Sequence, residues 1–565
     1  MKKSFIKSEN KIHILIFIIT ILIAISPLIS KSCVDGHDVG YHLLRIESLK
    51  QGILIGKPFL KVNTLFMGDA GYASSMFYPD LFIYIPALLR VLGVNINASY
   101  HIFVGVIFIL CYISTFYCAA KMGNSKYIGT IAAVLLTLCP YHMDDMIVRA
   151  ACGEYSAFVF APFVIYGVYN ILCENMSKPW VFALGFGGLI LTHPATLFLN
   201  VVFTAVVFVL YIKRFISNPK LILKVLITTI ITMAMTAFQW APMLEQMMSA
   251  KFGVEAGDMD MLYGALQFRH IFSLEFPTMG MIFLAIALLR ILIKREADDE
   301  LLKYADILLL AGFVTAIGTA DVWPWDKLGR ILQFMQFPWR MFAISSVLFA
   351  FADVIIVVYF IKKMCGVGGS MECDAKKNAA ILELVSVVVL VVSSCFAIAH
   401  YNVLNVPMDK NGQAYYDYGT SYYDFKPYTA YIIGGEWLPS TVTDSEAVIE
   451  LSEHMLLDNG AEVEFTRHRA SVISEIPTGN AYVDVPFIYY KGYKAILTDE
   501  NGAKKNLRVT SEGIDGFCRV YTDGNGGHLQ VYYGGTTVIK ASAVISILTL
   551  LGYCLYVIYI HRKSN

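Results

Sequence analysis

The sequence predicts an α-helical polytopic membrane protein with about twelve transmembrane helices and a C-terminal β-rich domain. Two observations predict the membrane class: 57% of the 565 residues are hydrophobic, and only 16% are charged. A soluble domain typically carries about 25% charged residues. The 44 Lys and Arg balance the 44 Asp and Glu, so no net charge favours nucleic acid as a partner.

Twelve apolar stretches are long enough, or nearly long enough, to cross the hydrocarbon core of a bilayer. They lie near residues 12–30, 97–120, 127–140, 155–172, 179–193, 196–212, 221–240, 278–294, 305–320, 340–361, 379–400 and 538–560. Those at 127–140 and 179–193 are short, so each is predicted to be tilted, broken or partly buried in protein. The stretch 81–93 contains Pro86 and Arg90 and is too short to span, so it is predicted as an interfacial or re-entrant helix.

The basic residues predict the orientation of the spans, because loops rich in Lys and Arg stay in the cytoplasm. With the N-terminus inside, the inner segments hold 21 Lys and Arg in about 72 residues, against 11 in about 133 residues of the shorter outer segments. Both termini are then cytoplasmic, and the chain is predicted to be a multi-pass protein of the cytoplasmic membrane. Four tryptophans lie near the outer ends of predicted spans: Trp240, Trp323, Trp325 and Trp339. This placement is typical of an aromatic belt at the membrane surface.

Three parts are predicted along the chain. They are a membrane domain (1–400) with outer loops 31–96 and 141–154, an extracytoplasmic β-rich domain (401–536), and a last transmembrane helix with a cytoplasmic tail (537–565). The β-rich part contains runs of β-branched and aromatic residues separated by turn sequences, and a sandwich or jelly-roll is expected. Its final runs, FCRVY and HLQVYY, are separated by TDGNGG and are predicted to form a hairpin.

Candidate chemistry begins directly after the first span, where two acids, two histidines and an arginine lie close together. They are Asp35, His37, Asp38, His42 and Arg45. Acids at this depth are costly to desolvate, so they indicate function. A carboxylate here could deprotonate an acceptor hydroxyl, and the group could hold a divalent cation or a lipid phosphate. The alternative is a solvated loop with an Asp that caps a helix over residues 39–50.

A second outer loop supplies partners on the same predicted side of the membrane. Its charged residues are Asp144, Asp145, Arg149 and Glu154. Two acid-bearing loops that face one cavity suit a general-base or a metal-assisted mechanism. In the second case Asp35, Asp38 and Asp145 would bind Mg²⁺ or Mn²⁺. The alternative is a surface loop in which Arg149 pairs with an Asp.

Three further residues complete the predicted site. Arg340, where an outer loop enters a span, suits a lipid phosphate, although it fits an interfacial Trp–Arg anchor equally well. His193 lies at a tight outer turn, where a structural helix cap is the alternative. Glu436 opens the β-rich part and would place an acid over the cavity. The sequence has no nucleotide-binding phosphate loop, so no nucleotide is expected as a cofactor.

The segments around these residues resemble those of a known group. The matching segments are 36–38, 42–47, 76–80, 84–88, 148–151 with Glu154, 337–340, 436–439 and 489–495. In their order they resemble bacterial integral-membrane glycosyltransferases of the GT-C fold, specifically the YfhO-like membrane proteins. That set is also labelled as membrane proteins related to 6-pyruvoyl-tetrahydropterin synthase. No pterin is expected, because the sequence offers no clustered histidines for a zinc site.

The resemblance covers nearly the whole chain and implies a transferase of the cell envelope. It would take a sugar from a polyprenyl-phosphate carrier at the outer face of the cytoplasmic membrane and pass it to an envelope glycan, a teichoic acid or another acceptor. The base of GT-C enzymes maps to Asp38, with Asp35 as the second choice. The donor phosphate or lipid would contact Arg149, Arg340, His42, Arg45 and His193. Supporting or acceptor-binding residues would be His37, Asp144, Asp145, Glu154 and Glu436.

Two other functions fit the same residues. A transporter or flippase for a lipid-linked saccharide would also use buried charges, but transporters tend to place them near the bilayer midplane, between inverted repeats. A non-catalytic protein of envelope assembly would bind through its β-rich domain.

Segment 413–431, which contains seven tyrosines, is predicted either to stack on sugar rings or to pack the β-rich domain onto the membrane domain.

Overall fold

The computed structural model of the protein describes residues 2–29, 33–34, 36–256, 264–294, 299–332, 335–364, 371–403, 415–416, 435–468 and 470–564. It is mostly helical, with several long apolar helices and a β-rich C-terminal part, which confirms the helical membrane class and the β-rich domain. Asp35 lies outside the described residues, and so does segment 413–431 except Tyr415 and Tyr416.

The chain forms two compact units. The first comprises Met1–Val39, His101–Thr232 and Asp258–Asp417, and the second comprises Gly40–Tyr100, Met233–Gly257 and Tyr418–Asn565. This division places the β-rich part and Gly40–Tyr100 in the same unit. The predicted domains, with boundaries at residues 400 and 536, place them in different domains.

The helices follow one another closely along the chain. They are α1 (Lys2–Ala24), α2 (Val39–Leu54), α3 (Ser74–Phe77), α4 (Tyr84–Val91), α5 (Ile96–Gly123), α6 (Lys126–Thr137), α7 (Pro140–Ile147), α8 (Cys152–Ala157), α9 (Ala161–Cys173), α10 (Pro179–Ile190), α11 (Pro194–Leu210), α12 (Ile212–Ser217), α13 (Pro219–Met235), α14 (Ala237–Met247), α15 (Gly253–Ala256), α16 (Met281–Leu288), α17 (Glu300–Gly318), α18 (Trp325–Leu332), α19 (Phe342–Met364), α20 (Met371–Val403), α21 (Ser445–Leu451) and α22 (Thr537–Ser564).

Apolar helical segments lie at all twelve predicted stretches. Six are long and apolar enough to cross a membrane: Ile96–Gly123, Cys152–Cys173, Glu300–Gly318, Pro338–Met364, Ala379–Val403 and Thr537–Tyr556. A bent pair, α13 and α14, makes a seventh if it counts as one span. The shorter ones are Asn10–Ala24, Lys126–Thr137, Pro179–Ile190, Pro194–Leu210 and Met281–Leu292. The short ones include both segments that the sequence predicts as tilted, broken or partly buried in protein, and Lys126–Thr137 is almost wholly buried.

Helix α19 forms the centre of the first unit. Its span is predominantly apolar, and 94% of an 18-residue window within it is buried, as expected of a helix enclosed by other helices. It packs against α6, α7, α16 and α17. A short 3-10 turn, Pro338–Met341, leads into α19, so the N-terminal end of this central helix brings Arg340 towards α7.

The second unit contains an antiparallel sheet of eight strands. A separate two-stranded pair, β1 (Cys33–Val34) with β2 (Tyr415–Tyr416), belongs to the first unit. The eight strands are β3 (Leu456–Leu457), β4 (Phe465–His468), β5 (Ser471–Ile476), β6 (Tyr482–Ile488), β7 (Tyr493–Thr498), β8 (Lys504–Thr510), β9 (Phe517–Tyr521) and β10 (Gly527–Tyr533). Their order is β3-β6-β9-β8-β7-β10-β5-β4.

The predicted hairpin of the last two strands is wrong. Both strands exist, but β9 pairs with β6 and β8, whereas β10 pairs with β5 and β7. The buried Leu529 and Val531 of β10 lie opposite Ser474 and Val472 of β5. Turn residues mark where a chain reverses, whereas the partner of a strand depends on which apolar faces are buried together.

Candidate functional site

The site is built on α7 and the turn that follows it. Pro140 occupies the first turn of α7, where its fixed φ suits a helix start and its missing N–H costs nothing. After α7 the chain reverses at Ala150, which has φ +55°, and α8 begins at Cys152. Every residue of α7 is buried. The charged residues of this segment therefore enter the protein interior, so the alternative of a surface loop is wrong, although Arg149 does pair with an Asp, Asp145, as that alternative expects.

Five side chains of the first unit form a buried charge cluster. They are Tyr141, Asp145, Arg149, Glu154 and Arg340. Arg149 Nη1 donates to Glu154 Oε2 at 2.7 Å and to Asp145 Oδ1 at 2.9 Å. Tyr141 donates its hydroxyl to Glu154 Oε1 at 2.7 Å, and Arg340 Nε lies 3.2 Å from Glu154 Oε2. Glu154 therefore accepts hydrogen bonds from Arg149 and Tyr141 and also forms an ion pair with Arg340.

The segment after α1 lies directly on the turn after α7. The backbone N–H of Asp38 donates to the carbonyl of Arg149 at 2.8 Å, and that of His37 donates to Val148 at 2.9 Å. A Cβ on Gly36 would lie 2.7 Å from the Cβ of Ala150, so a glycine is required for this approach. The structure thus brings the two predicted acid-bearing segments together, with Asp38 immediately before α2 and partly exposed.

The electrostatics of Asp38 and Asp145 differ. Burial raises the pKa of Asp38, and the positive charges of Arg149 and Arg340 oppose this rise. Burial, followed by the negative charge of Glu154, raises the pKa of Asp145 well above its usual range. Asp145 Oδ2 is buried and has no hydrogen-bond partner within the described ranges, which also favours the neutral acid.

His193, a residue of the first unit, caps the N-terminus of α11. Its Nδ1 accepts from the backbone N–H of Thr196 at 3.3 Å and lies 2.8 Å from the Thr196 hydroxyl oxygen. Burial lowers the pKa of His193 to about 3, although Glu154 opposes this shift. The ring is therefore neutral at pH 7. These contacts are those of a structural helix cap, which is the alternative to a role of His193 in donor binding. The ring also lies within electrostatic reach of the charge cluster.

Asp144 pairs with His400 of α20, a residue that the sequence analysis missed. Asp144 Oδ1 lies 2.6 Å from His400 Nε2, and Oδ2 accepts from the backbone N–H of Thr278 at 3.3 Å. The other imidazole nitrogen, Nδ1, lies 2.7 Å from the carbonyl oxygen of Leu274. Because both ring nitrogens face oxygen acceptors, this geometry suits an imidazolium. Asp144 therefore ties α7 to α20 and to the loop before α16.

His42 and Arg45 belong to the second unit, where they are buried. Arg45 Nη2 donates to the carbonyls of Tyr78 and Pro79 at 3.1 and 2.9 Å, and to Asp80 Oδ1 at 2.5 Å. Its Nη1 lies 3.2 Å from His42 Nδ1. The segments 42–47 and 76–80, which carry much of the resemblance, therefore form one buried network. A structural role accounts for all of these contacts.

Glu436 also belongs to the second unit. Its backbone carbonyl accepts from the N–H of Val254 at 2.8 Å, and the adjacent Trp437 stacks on Phe77 with ring centroids 4.6 Å apart. These contacts fix the backbone of the segment 436–439. The role of the Glu436 carboxylate stays a prediction.

No group of three or more His, Cys, Asp or Glu that could hold a metal ion occurs among the residues that the structure describes. Asp38 and Asp145 are described, whereas Asp35, the third predicted ligand, lies outside the described residues. The binding of Mg²⁺ or Mn²⁺ by these three acids therefore stays a prediction.

A buried acid that no motif announced lies inside α19. Asp353 is the middle residue of this helix and is fully buried, and neither of its carboxylate oxygens has a hydrogen-bond partner in the described part of the chain. An unsatisfied buried polar group costs about 1–3 kcal/mol. The run 342–361 is predominantly apolar, and Asp353 is its only acid. A single acid makes no repeating polar pattern, so the sequence did not indicate this position.

Replacing Asp353 with Leu is expected to raise the free energy of unfolding by about 1–3 kcal/mol, because the substitution removes an unsatisfied polar group. Thermal unfolding in detergent measures this change. The matched control is Asp306→Leu, which breaks the ion pair of Asp306 with Arg290 (2.5 Å) and is expected to lower stability slightly. A fall in stability for Asp353→Leu would mean that the carboxyl is bonded in the native protein.

Comparison with known proteins gives a family, one relative and one solved structure. A family model described as "Family of unknown function (DUF6541)" matches residues 14–430. An uncharacterized protein of Lactococcus lactis subsp. cremoris is 21% identical over 641 residues, covering 100% of this chain and 98% of the relative. The apo crystal structure of the Archaeoglobus fulgidus oligosaccharyltransferase aligns at 13% identity with a TM-score of 0.37. That alignment covers 73% of this chain and 60% of the other, so the chain spans less than two thirds of it. The likeness to YfhO-like proteins stays a prediction.

Proposed function

We propose that this chain, which belongs to the DUF6541 family of unknown function, is a GT-C-type membrane glycosyltransferase. It transfers a sugar from a polyprenyl-phosphate carrier to an acceptor, and Asp38 is the general base. One observation carries the proposal: a partly exposed carboxylate, Asp38, adjoins a buried cluster with two guanidiniums, those of Arg149 and Arg340. A base beside cations is the arrangement that transfer from a phosphate leaving group requires.

The step balances as a single displacement. The acceptor oxygen forms a bond to the anomeric carbon of the donor sugar, while the bond from that carbon to the carrier phosphate oxygen breaks. The electron pair of the broken bond leaves with the phosphate, and the acceptor proton passes to the Asp38 carboxylate. A raised pKa suits this role, because it brings the base closer to the working pH.

Arg340 is the guanidinium best placed to receive the phosphate. Arg149 is buried and already bonded to Asp145 and Glu154. The Arg340 side chain is 11% exposed and donates through Nη1 to the carbonyl of Met335 at 3.1 Å. Its Nε faces Glu154, and no hydrogen bond to Nη2 occurs within the described ranges. Arg149 therefore holds the cluster together, while Arg340 contacts the leaving group.

The proposed reaction takes place at the outer face of the cytoplasmic membrane. The density of Lys and Arg in the inner segments supports this orientation. Cytosolic nucleotide sugars do not reach that face, whereas a lipid-linked donor arrives through the bilayer. The acceptor is then a molecule of the cell envelope.

Transport of a lipid-linked saccharide is the second candidate. The buried Asp353 favours it, because an unpaired acid in the middle of a spanning helix is typical of transport pathways. The position of Asp38 favours the transferase, because it lies in a connecting segment outside the spans and next to the charge cluster.

Reconstitution of the purified protein in vesicles distinguishes the two functions. The vesicles contain polyprenyl phosphate that carries radiolabelled hexose, with or without an envelope-glycan acceptor. If the protein is a transferase, label is expected to move to the acceptor, and no flipping is expected when the acceptor is absent. Flipping of the labelled carrier without acceptor, together with no labelled product from any acceptor tried, would overturn the proposal in favour of transport.

A further inference from the structure

Three partly exposed aromatic side chains of the first unit have no part in the step described above. Phe337 and Trp339 stack with ring centroids 4.3 Å apart, and Phe276 meets Trp339 edge-on at 6.1 Å. These three residues are named the aromatic shelf. His37, next to the proposed base, meets Phe276 edge-on at 6.1 Å. The guanidinium of Arg340 lies 5.7 Å from the centre of the Phe337 ring. The shelf therefore adjoins both ends of the proposed reaction.

We infer that the aromatic shelf binds the pyranose ring of the sugar, an inference that rests on the proposed function. The face of an aromatic ring is electron-rich, and it attracts the weakly positive C–H groups that cover one face of a pyranose. Small-molecule sites combine such apolar surfaces with a few placed polar groups. In the donor, the sugar is bonded directly to the phosphate. The protein must therefore bind a sugar ring and an anion side by side. Phe337, Trp339 and Arg340 supply this pair within four consecutive residues.

The indole nitrogen of Trp339 favours a sugar over the prenyl chain of the carrier. Trp339 Nε1 is buried without a hydrogen-bond partner in the part of the chain that the structure describes. A buried indole N–H usually finds an acceptor. A sugar hydroxyl at the edge of the ring supplies that acceptor, whereas a hydrocarbon chain has none. By contrast, Trp323, which is 45% exposed, donates its Nε1 to the carbonyl of Ile317.

Binding measurements on the full-length protein in nanodiscs test the inference. The probes are polyprenyl phosphate alone and polyprenyl phosphate that carries glucose, galactose, mannose or N-acetylglucosamine; the sugar that binds most tightly is used thereafter. Trp339→Ala is expected to raise the Kd for the sugar-bearing carrier at least tenfold and that for the bare carrier less than twofold. Trp339→Phe keeps a ring but loses the N–H, and its Kd for the sugar-bearing carrier is expected to lie between those of the wild-type protein and Trp339→Ala. The control Trp323→Ala is expected to change neither Kd.

Free methyl glycoside of the same sugar separates recognition of the ring from recognition of the carrier. It is expected to compete with the sugar-bearing carrier for the wild-type protein, and to compete less effectively for Trp339→Ala. Equal competition for both proteins would mean that the shelf does not bind the ring.

Three results would overturn the inference: equal loss for both carriers in Trp339→Ala, no loss for either, or equal binding of both carriers by the wild-type protein. If Trp339→Ala does not fold, Phe276→Ala is measured instead with the same expected contrast. The two proposals fail separately. Sugar-dependent binding without any transfer refutes the transferase alone, whereas transfer with unchanged binding in the shelf variants refutes the shelf alone.

Discussion

Asp38→Asn is expected to lower the rate of sugar transfer by about 100- to 10,000-fold, the usual contribution of a positioned general base. Asparagine keeps the shape of the side chain but has no carboxylate to take the acceptor proton. The backbone bonds of residue 38 to Arg149 are unaffected by the change, so folding and carrier binding should persist. The rate is measured in reconstituted vesicles, and carrier binding is measured in parallel.

The pH profile gives an independent check on this role. Burial raises the pKa of Asp38, so the acidic limb of the wild-type rate should lie above the usual range of an aspartate, about 3.9. The rate falls as pH drops through this pKa, because the protonated acid cannot accept the acceptor proton. Asp321→Asn, an exposed aspartate of the same unit, is the control and should keep the wild-type profile. A wild-type rate for Asp38→Asn would remove Asp38 from the role of base.

The membrane-spanning part could be predicted because its signal is local. A run of apolar residues long enough for a bilayer is rare in soluble domains, and the twelve predicted stretches all contain helices. The strands of the β-rich part were also recognisable one by one. The pairing of β9 and β10 was not, because the partner of a strand is decided by burial between segments far apart in the chain.

The candidate site was predictable to a similar extent. Asp38, Arg149 and Arg340 stood out because charge is rare beside spans, and the structure places them together. Arg45 stood out for the same reason, yet it bonds to Asp80 in a buried network. Composition alone does not tell whether a charged side chain meets a ligand or another side chain. His400 was missed because it is 256 residues from its partner Asp144.

Glu154→Gln is expected to lower the free energy of unfolding by about 3–5 kcal/mol, since it removes one partner of a buried ionic group and leaves the others uncompensated. Glu154 is fully buried and contacts Arg149, Arg340 and Tyr141 at once. Sugar transfer should fall as well, because Arg340 loses the carboxylate with which it forms an ion pair. This joint loss separates Glu154 from Asp38, whose substitution should affect transfer alone.

The control for Glu154 is Glu174→Gln, which disrupts a partly exposed pair with Lys178 at 3.4 Å. A pair of this kind contributes about 0.3–0.5 kcal/mol, so the control should unfold close to the wild-type temperature in detergent. A double-mutant cycle of Glu154→Gln with Arg149→Gln isolates the central contact and should show a coupling energy of at least about 1 kcal/mol, because the two side chains touch. Additive losses would mean that Glu154 does not organise the charge cluster, and Arg340 would then have to be held by another group.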